Sequence, residues 1–477
     1  MADSLDPDDW PRLRSQGHRM LDDMFDYLEH VRKRPTWQPA PADVREVFTE
    51  SLPHQPGSLD AAHDSFMQHI LPYAVGNAHP GFMGWVHGGG TPVGMLAEML
   101  AGGLNANVGG RNQIPVDVEH QVLQWVQELF GFPSTASGLF VTGTSMANLI
   151  SLMVARTRAL GVDVRHSGVA AGGKRLTAYA SAITHSCIAR AIDMAGIGTD
   201  ALRMIPVNRR HEIDLAALRD AVARDREAGF TPFFVVGNAG TVDIGAIDDL
   251  AGLAAFTRAE GIWFHVDGAF GGLAMMAPAL APRLAGIEQA DSIGFDFHKW
   301  AQVPYDAGFV MVRDGDLHRA TFTAEPDYLR RDVRGMAAHS PWPCDFGPDL
   351  SRGFRALKTW FTLKVYGSDA LGAVITHTCA LAQTMAARIE ASPELELLAP
   401  VALNIVCFRY RCEDADRVNA DILVRVQESG VAAPSSTSVN GQFAIRAALF
   451  NHRTTRQDVD AMLDAVMAAG RSITNQP

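Results

Sequence analysis

The chain has 477 residues, 47% of them hydrophobic and 20% charged, with a formal net charge of −12. That is enough apolar side chain to bury a large core, and it excludes a disordered or collagen-like chain. The acidic balance, without any basic block, speaks against nucleic acid or an anionic membrane surface as the main partner.

The N-terminus, MADSLDPDDW, is acidic and has no apolar h-region, so no secretory signal is expected. Residues 10–31 place Leu13, Met20, Leu21, Met24, Phe25, Leu28 and Val31 near helical spacing. A proline-rich stretch follows (Pro35, Pro39, Pro41), then a Gly-rich one at 79–94, HPGFMGWVHGGGTPVG. A helix is expected over about 116–130, just after Pro115. The apolar stretch at 139–155 is broken by Thr142, Thr144, Ser145 and Asn148 and is too polar for a membrane span.

From 138 to 313 short apolar runs alternate with amphipathic helices. The expected strands are 138–142, 176–181, 203–207, 232–237, 262–267, 291–296 and 307–312, with helices at 145–160, 185–196, 214–226 and 248–260. Such alternation predicts an α/β unit with a mostly parallel seven-stranded sheet and helices on both faces. After 365 a smaller α+β unit is expected: helices at 368–391, 414–429 and 455–470, and strands at 403–409 and 442–447. The division is therefore 1–78, an N-terminal helical segment; 79–365, a large domain; and 366–477, a small C-terminal domain. The five cysteines (Cys187, Cys344, Cys379, Cys407, Cys412) form no CxxC pair and no Cys/His cluster. Free thiols in a reducing, cytoplasmic setting and no metal site are the expectation.

Sites in open α/β sheets form at the carboxyl ends of strands, and three such ends carry suggestive residues. In VTGTSMANL (141–149) Thr144 and Ser145 open a helix whose free amides and hydroxyls suit a phosphate, although an ordinary helix cap reads the same. In WFHVDGAFGG (263–272) Asp267 ends an apolar strand, and Gly268 and Ala269 leave room for a flat group. In ADSIGFDFHKW (290–300) Lys299 follows a strand in apolar company; it is one of only five lysines, and the other four have bland surface or helical settings. Desolvation would make such an amine a nucleophile toward carbonyls. An imine-forming lysine, a carboxylate for a pyridinium N–H and a phosphate-binding helix start are the three fixtures that pyridoxal phosphate needs.

With GHRMLDDMFDYL (17–28), HPGFMGW (79–85), IPVDVEHQVLQWV (114–126), TGTSMANL, THSC (184–187), HVDGAFGG, DFHKW, EPDYLRR (325–331) and SRGFRALKTWFTLKVYG (351–367) in this order, the chain resembles the group II pyridoxal-phosphate-dependent amino-acid decarboxylases of fold type I. The resemblance implies that Lys299 carries the cofactor, pyridoxal 5'-phosphate, as a Schiff base and that Asp267 pairs with its ring nitrogen. It implies further that His185 covers the ring face, Ala269 lies against the ring, and Thr144, Ser145 and His298 hold the phosphate, with Asn238 a polar contact beside the cofactor. Tyr328 would protonate the carbanion left by CO2, Phe82 and Trp85 would shape a pocket for an aromatic or apolar side chain, and Arg352 matches a family arginine without an evident role. A homodimer with the site at the subunit interface is implied as well. The resemblance thus predicts decarboxylation of an L-amino acid to its amine. Oxidative deamination to an aldehyde on the same scaffold and a non-catalytic binding protein are the competing readings. One departure stands out: Asp296 replaces the family's usual Asn, and an acid near a phosphate is unfavourable unless it turns away or pairs with a cation.

Overall fold

A computed structural model describes residues 4–323 and 331–475. Its strands are β1 (Phe82–Met83), β2 (Ser137–Val141), β3 (Arg175–Ser181), β4 (Leu202–Ile205), β5 (Phe230–Asn238), β6 (Trp263–Asp267), β7 (Ser292–Asp296), β8 (Gly308–Val312), β9 (Leu395–Leu397), β10 (Ile405–Tyr410), β11 (Ala433–Val439) and β12 (Gln442–Ala448).

The seven strands expected from the apolar runs form one sheet in the order β2-β8-β7-β6-β5-β3-β4. All pairs are parallel except those of β8, which runs antiparallel to both β2 and β7. Every residue of β6, β7 and β8 is buried, as a sheet covered on both faces requires. Beneath it Phe140, Phe295, Phe297 and Phe309 pack edge-to-face and stacked, with centroids 5.0–6.0 Å apart. Each such buried ring contributes roughly 2 kcal/mol of transfer free energy.

The crossover helices have local causes. Asp214 accepts the amides of Ala216 and Ala217 at the start of Leu215–Glu227, and Asp249 caps Leu250–Glu260 through Gly252. Gly261 ends the latter helix at φ +67°, a left-handed conformation that favours glycine.

The small sheet has the order β1-β11-β12-β10-β9. Its edge strand β1 comes from the Gly-rich stretch 79–94 and pairs parallel with β11, so residues read as the start of the large domain complete the small one. The long helix Arg355–Ala391 joins the two units and breaks at Gly367 (φ +77°), one residue before the helix start expected from sequence. Among the described residues it is the one helix long and apolar enough to cross a membrane, and half of its most apolar stretch is buried inside the fold. The N-terminal helix Trp10–Glu29 buries none of its residues.

Candidate active site

The carboxyl ends of β2, β5, β6 and β7 open into one cavity of about 360 Å³. Lys299, Asp267, Ala269, His185, Thr144, Ser145, Asn238 and His298 all line it, so the cofactor residues expected from sequence converge. Trp85 lines it too, but Phe82 does not: its buried ring lies behind, stacked on His87 at 5.6 Å. The expected role of Phe82 is thereby corrected: Phe82 is buried on β1, whereas Trp85, two residues past the end of that strand, is exposed at the cavity. Tyr328 lies outside the described residues.

Close approach builds the cavity floor. A Cβ on Gly308 would come within 2.4 Å of the Gly143 Cα, so β8 meets the β2–helix turn closely only because residue 308 lacks a side chain. A Cβ on Gly294 would stand 2.9 Å from the Asn148 Oδ1, so glycine there lets Asn148 pass over β7 to reach β6.

Asp267 is buried at the end of β6. Its Oδ2 accepts from the Asn148 Nδ2 at 3.0 Å and its Oδ1 from the Ala269 amide at 3.1 Å. Burial pushes its carboxyl above the usual range, and the Lys299 ammonium, the Ala269 amide, Asn148 and His185 oppose that. Asn148 is itself held: its Oδ1 accepts from the His265 Nε2 at 2.8 Å, and the His265 Nδ1 faces the Ser292 Oγ at 2.9 Å, to which the Trp263 indole N–H donates at 2.8 Å. Burial lowers His265 to about 3, so its ring is neutral. An amide oxygen can only accept, which puts the His265 proton on Nε2. All donors in this chain therefore point toward Asp267.

The helix Thr144–Leu160 begins at the cavity after Gly143. The buried Thr144 Oγ1 has no hydrogen-bond partner among the described residues. The Thr144 amide donates to the Asp296 Oδ1 at 2.7 Å, and the Lys299 Nζ pairs with the Asp296 Oδ2 at 2.8 Å. The acid that sequence marked as awkward thus pairs with the one ammonium in the cavity. His298 accepts the Ala307 amide on Nδ1 at 3.0 Å and lies against the Tyr305 ring at 4.2 Å; burial holds its imidazole below the usual range. His185 accepts the Cys187 amide on Nδ1 at 3.1 Å, which leaves Nε2 for the cavity.

Asn238 and Arg352 are both tied into the protein by their own side-chain bonds. Asn238 lines the cavity, but its side chain bonds to Asp248 (2.9 Å), Ser181 (3.4 Å) and Thr184 (3.0 Å), so it braces the end of β5. Arg352 is absent from the cavity and forms a buried pair with Glu119 at 2.6 Å. Sequence reasoning missed Asn148, although it lies inside the quoted TGTSMANL motif, and missed His87, Val242, Tyr305 and Arg446, which reach the cavity from distant segments.

The donor set fits pyridoxal phosphate: an amine, a buried carboxylate that calls for a cationic partner, and an orphaned hydroxyl at a helix start.

The model of the pyridoxal-dependent decarboxylase conserved domain matches residues 41–411. An aromatic-L-amino-acid decarboxylase of Bacillus atrophaeus is 30% identical over 473 residues, covering 97% of this chain and 96% of the relative. A phenylacetaldehyde synthase of Arabidopsis thaliana is 31% identical over 468 residues, with 93% of each covered. The crystal structure of Oryza sativa TDC with PLP and tryptamine superposes with a TM-score of 0.89 at 25% identity, covering 99% of this chain and 100% of that one.

Proposed function

The chain belongs to the pyridoxal-dependent decarboxylase family and is a pyridoxal-phosphate-dependent amino-acid decarboxylase, and on that premise we propose that its substrate is an aromatic L-amino acid, released as the amine and CO2. The observation that carries the reading is the convergence of Lys299, Asp267 and the Thr144 helix start on one cavity whose wall includes Trp85, His87 and Tyr305.

Each residue then has a task. Lys299 would anchor the cofactor and Asp267 would accept the ring N–H, and the Asn148–His265–Ser292 chain fixes that carboxylate in place. Thr144, Ser145 and His298, which line the cavity, would hold the phosphate, and Ala269 and His185 would flank the ring. When bound there, pyridoxal phosphate supplies an electron sink for the pair left on Cα as CO2 departs. Tyr328 would deliver the proton to Cα.

Incubation with the twenty amino acids, dopa and 2,4-diaminobutyrate, with CO2, amine and peroxide measured, tests the proposal. Equal yields of amine and CO2 from tryptophan, tyrosine, phenylalanine or dopa are expected; turnover of an acidic or basic amino acid alone would refute the aromatic assignment. The likeness to a phenylacetaldehyde synthase favours one second reading, aldehyde formation. Oxygen uptake with peroxide and aldehyde in place of amine would establish it. For Tyr328→Phe the expected outcome is loss of amine; unchanged amine yield would remove Tyr328 from the mechanism.

We also propose a homodimer. The Trp10–Glu29 helix carries apolar residues yet buries none of them in its own chain. Light scattering should give twice the 51.5 kDa of one chain, and a monomer mass would refute the proposal. All five cysteines are unpaired, which suits the reducing cytoplasm. Five thiols should titrate in denatured, unreduced protein, and fewer would contradict it.

A further inference from the structure

A single carboxylate holds both groups that the cofactor needs. The Asp296 Oδ1 takes the amide of Thr144, the first residue of the helix that faces the cavity, at 2.7 Å. Its Oδ2 takes the Lys299 Nζ at 2.8 Å. Asp296 is buried, at 2% exposure, so neither bond is weakened by bulk water. A helix N-terminus is an anion site, and here the protein's own anion occupies it. We propose that Asp296 is a built-in competitor of the cofactor's phosphate: it closes the cofactor-free site and makes loading of pyridoxal 5'-phosphate depend on proton uptake. The inference rests on the cofactor assignment and deepens it.

The physics is that of two anions in one cradle. While Lys299 is a free ammonium, Asp296 has a counter-ion. Once the lysine nitrogen is engaged by the cofactor, the carboxylate loses that partner and faces a phosphate across the same amide. Like charges at such range cannot both stay fully ionised, and one shared proton relieves the repulsion. Loading should therefore tighten as pH falls, and removal of the carboxylate's charge should abolish the dependence.

The surroundings make this readable. Burial lowers His87 to about 4, so it stays neutral between pH 6 and 8, and burial holds His298, with its Nε2 3.7 Å from Asp296, below its usual range. Tyr305 is raised by burial and by Asp296 and stays neutral there. Asp306 and Lys358 act on this group through His298, and Asp267 and His185 lie beyond Lys299. The difference between wild type and an Asp296 variant therefore reads the charge at position 296 together with its effect on His298 and Tyr305.

The experiment uses full-length protein stripped of cofactor. Wild type, Asp296→Asn and Asp296→Ala are titrated with pyridoxal 5'-phosphate and with unphosphorylated pyridoxal from pH 6 to 8, followed by the visible absorbance of the bound cofactor. Thermal shifts with inorganic phosphate provide a readout that needs no lysine chemistry. Asp296→Asn should bind pyridoxal 5'-phosphate about tenfold tighter than wild type at pH 8, with the gap closing toward pH 6. Pyridoxal should show no such gap, and inorganic phosphate should raise the melting temperature of both variants more than that of wild type. Equal or weaker binding by both variants at pH 8, with phosphate shifts no larger than those of wild type, would overturn the proposal. If no protein, wild type included, develops the absorbance band, the cofactor assignment itself fails and the proposal falls with it.

Discussion

Among the ion pairs of the large domain with a buried carboxylate, two differ in how completely they are satisfied. Arg352 pairs with Glu119 at 2.6 Å, and its terminal nitrogens also donate to the carbonyls of Val108 at 3.1 Å and Phe140 at 2.7 Å. Glu119 in turn accepts the Phe140 amide at 3.1 Å. That pair ties the Ile114–Phe130 helix and the 350s loop to the edge strand β2 and offers a ligand nothing. Among the described residues Lys299 pairs with Asp296 alone, and its side chain is 20% exposed. Burial with nearly full satisfaction gives structure, whereas burial with spare valence at a cavity wall gives chemistry.

The sharpest way to break that contrast is Lys299→Ala. Turnover and the visible absorbance of bound cofactor should both vanish; normal turnover would reject the assignment. Asp267→Asn should cut the decarboxylation rate by about three orders of magnitude, roughly 4 kcal/mol of lost charge stabilisation. Cofactor should still bind, and a rate within tenfold of wild type would show that Asp267 does not hold the ring. Arg352→Met sits on the other side of the comparison. It strands Glu119 and should cost about 3–5 kcal/mol in urea unfolding, with unchanged kcat in the protein that remains folded. A stable Arg352→Met with low kcat would move that arginine into the catalytic machinery.

The smallest effect concerns pH. Burial lowers His265 and His318 to about 3, and His87 and His452 to about 4, from an ordinary 6.5. In the unfolded chain these rings take up protons below about 6.5, and in the folded chain they do so only near 3–4. The stability they contribute is therefore complete above about pH 6.5 and is lost as pH falls toward 4. Urea midpoints measured across that window should decline, and His318→Gln, far from the cavity, should flatten part of the decline. A pH-independent midpoint would contradict the neutral, buried assignment.

Much of this was legible because it is local. The seven strands of the large sheet announce themselves as apolar runs, and Lys299 and Asp267 stand out because each ends such a run. β11, APSSTSV, was missed because proline and small polar residues hide its pattern. β1 was missed because two residues in a Gly-rich stretch carry no period at all. Asp296 was visible as an oddity, but its partner became clear only when the turn after β7 folded Lys299 back onto it. The substrate wall was least legible: apart from Trp85, it includes Val242, Tyr305 and Arg446, which come from three segments that no spacing rule links.

The central claim is that Lys299 is the residue to which the cofactor attaches, and the chain's five lysines make it directly measurable. Cofactor-loaded enzyme is reduced with borohydride, digested and mapped by mass spectrometry. The account predicts one pyridoxyl label per chain, on the peptide that carries Lys299. A label on Lys33, Lys174, Lys358 or Lys364, or no label at all, would contradict it.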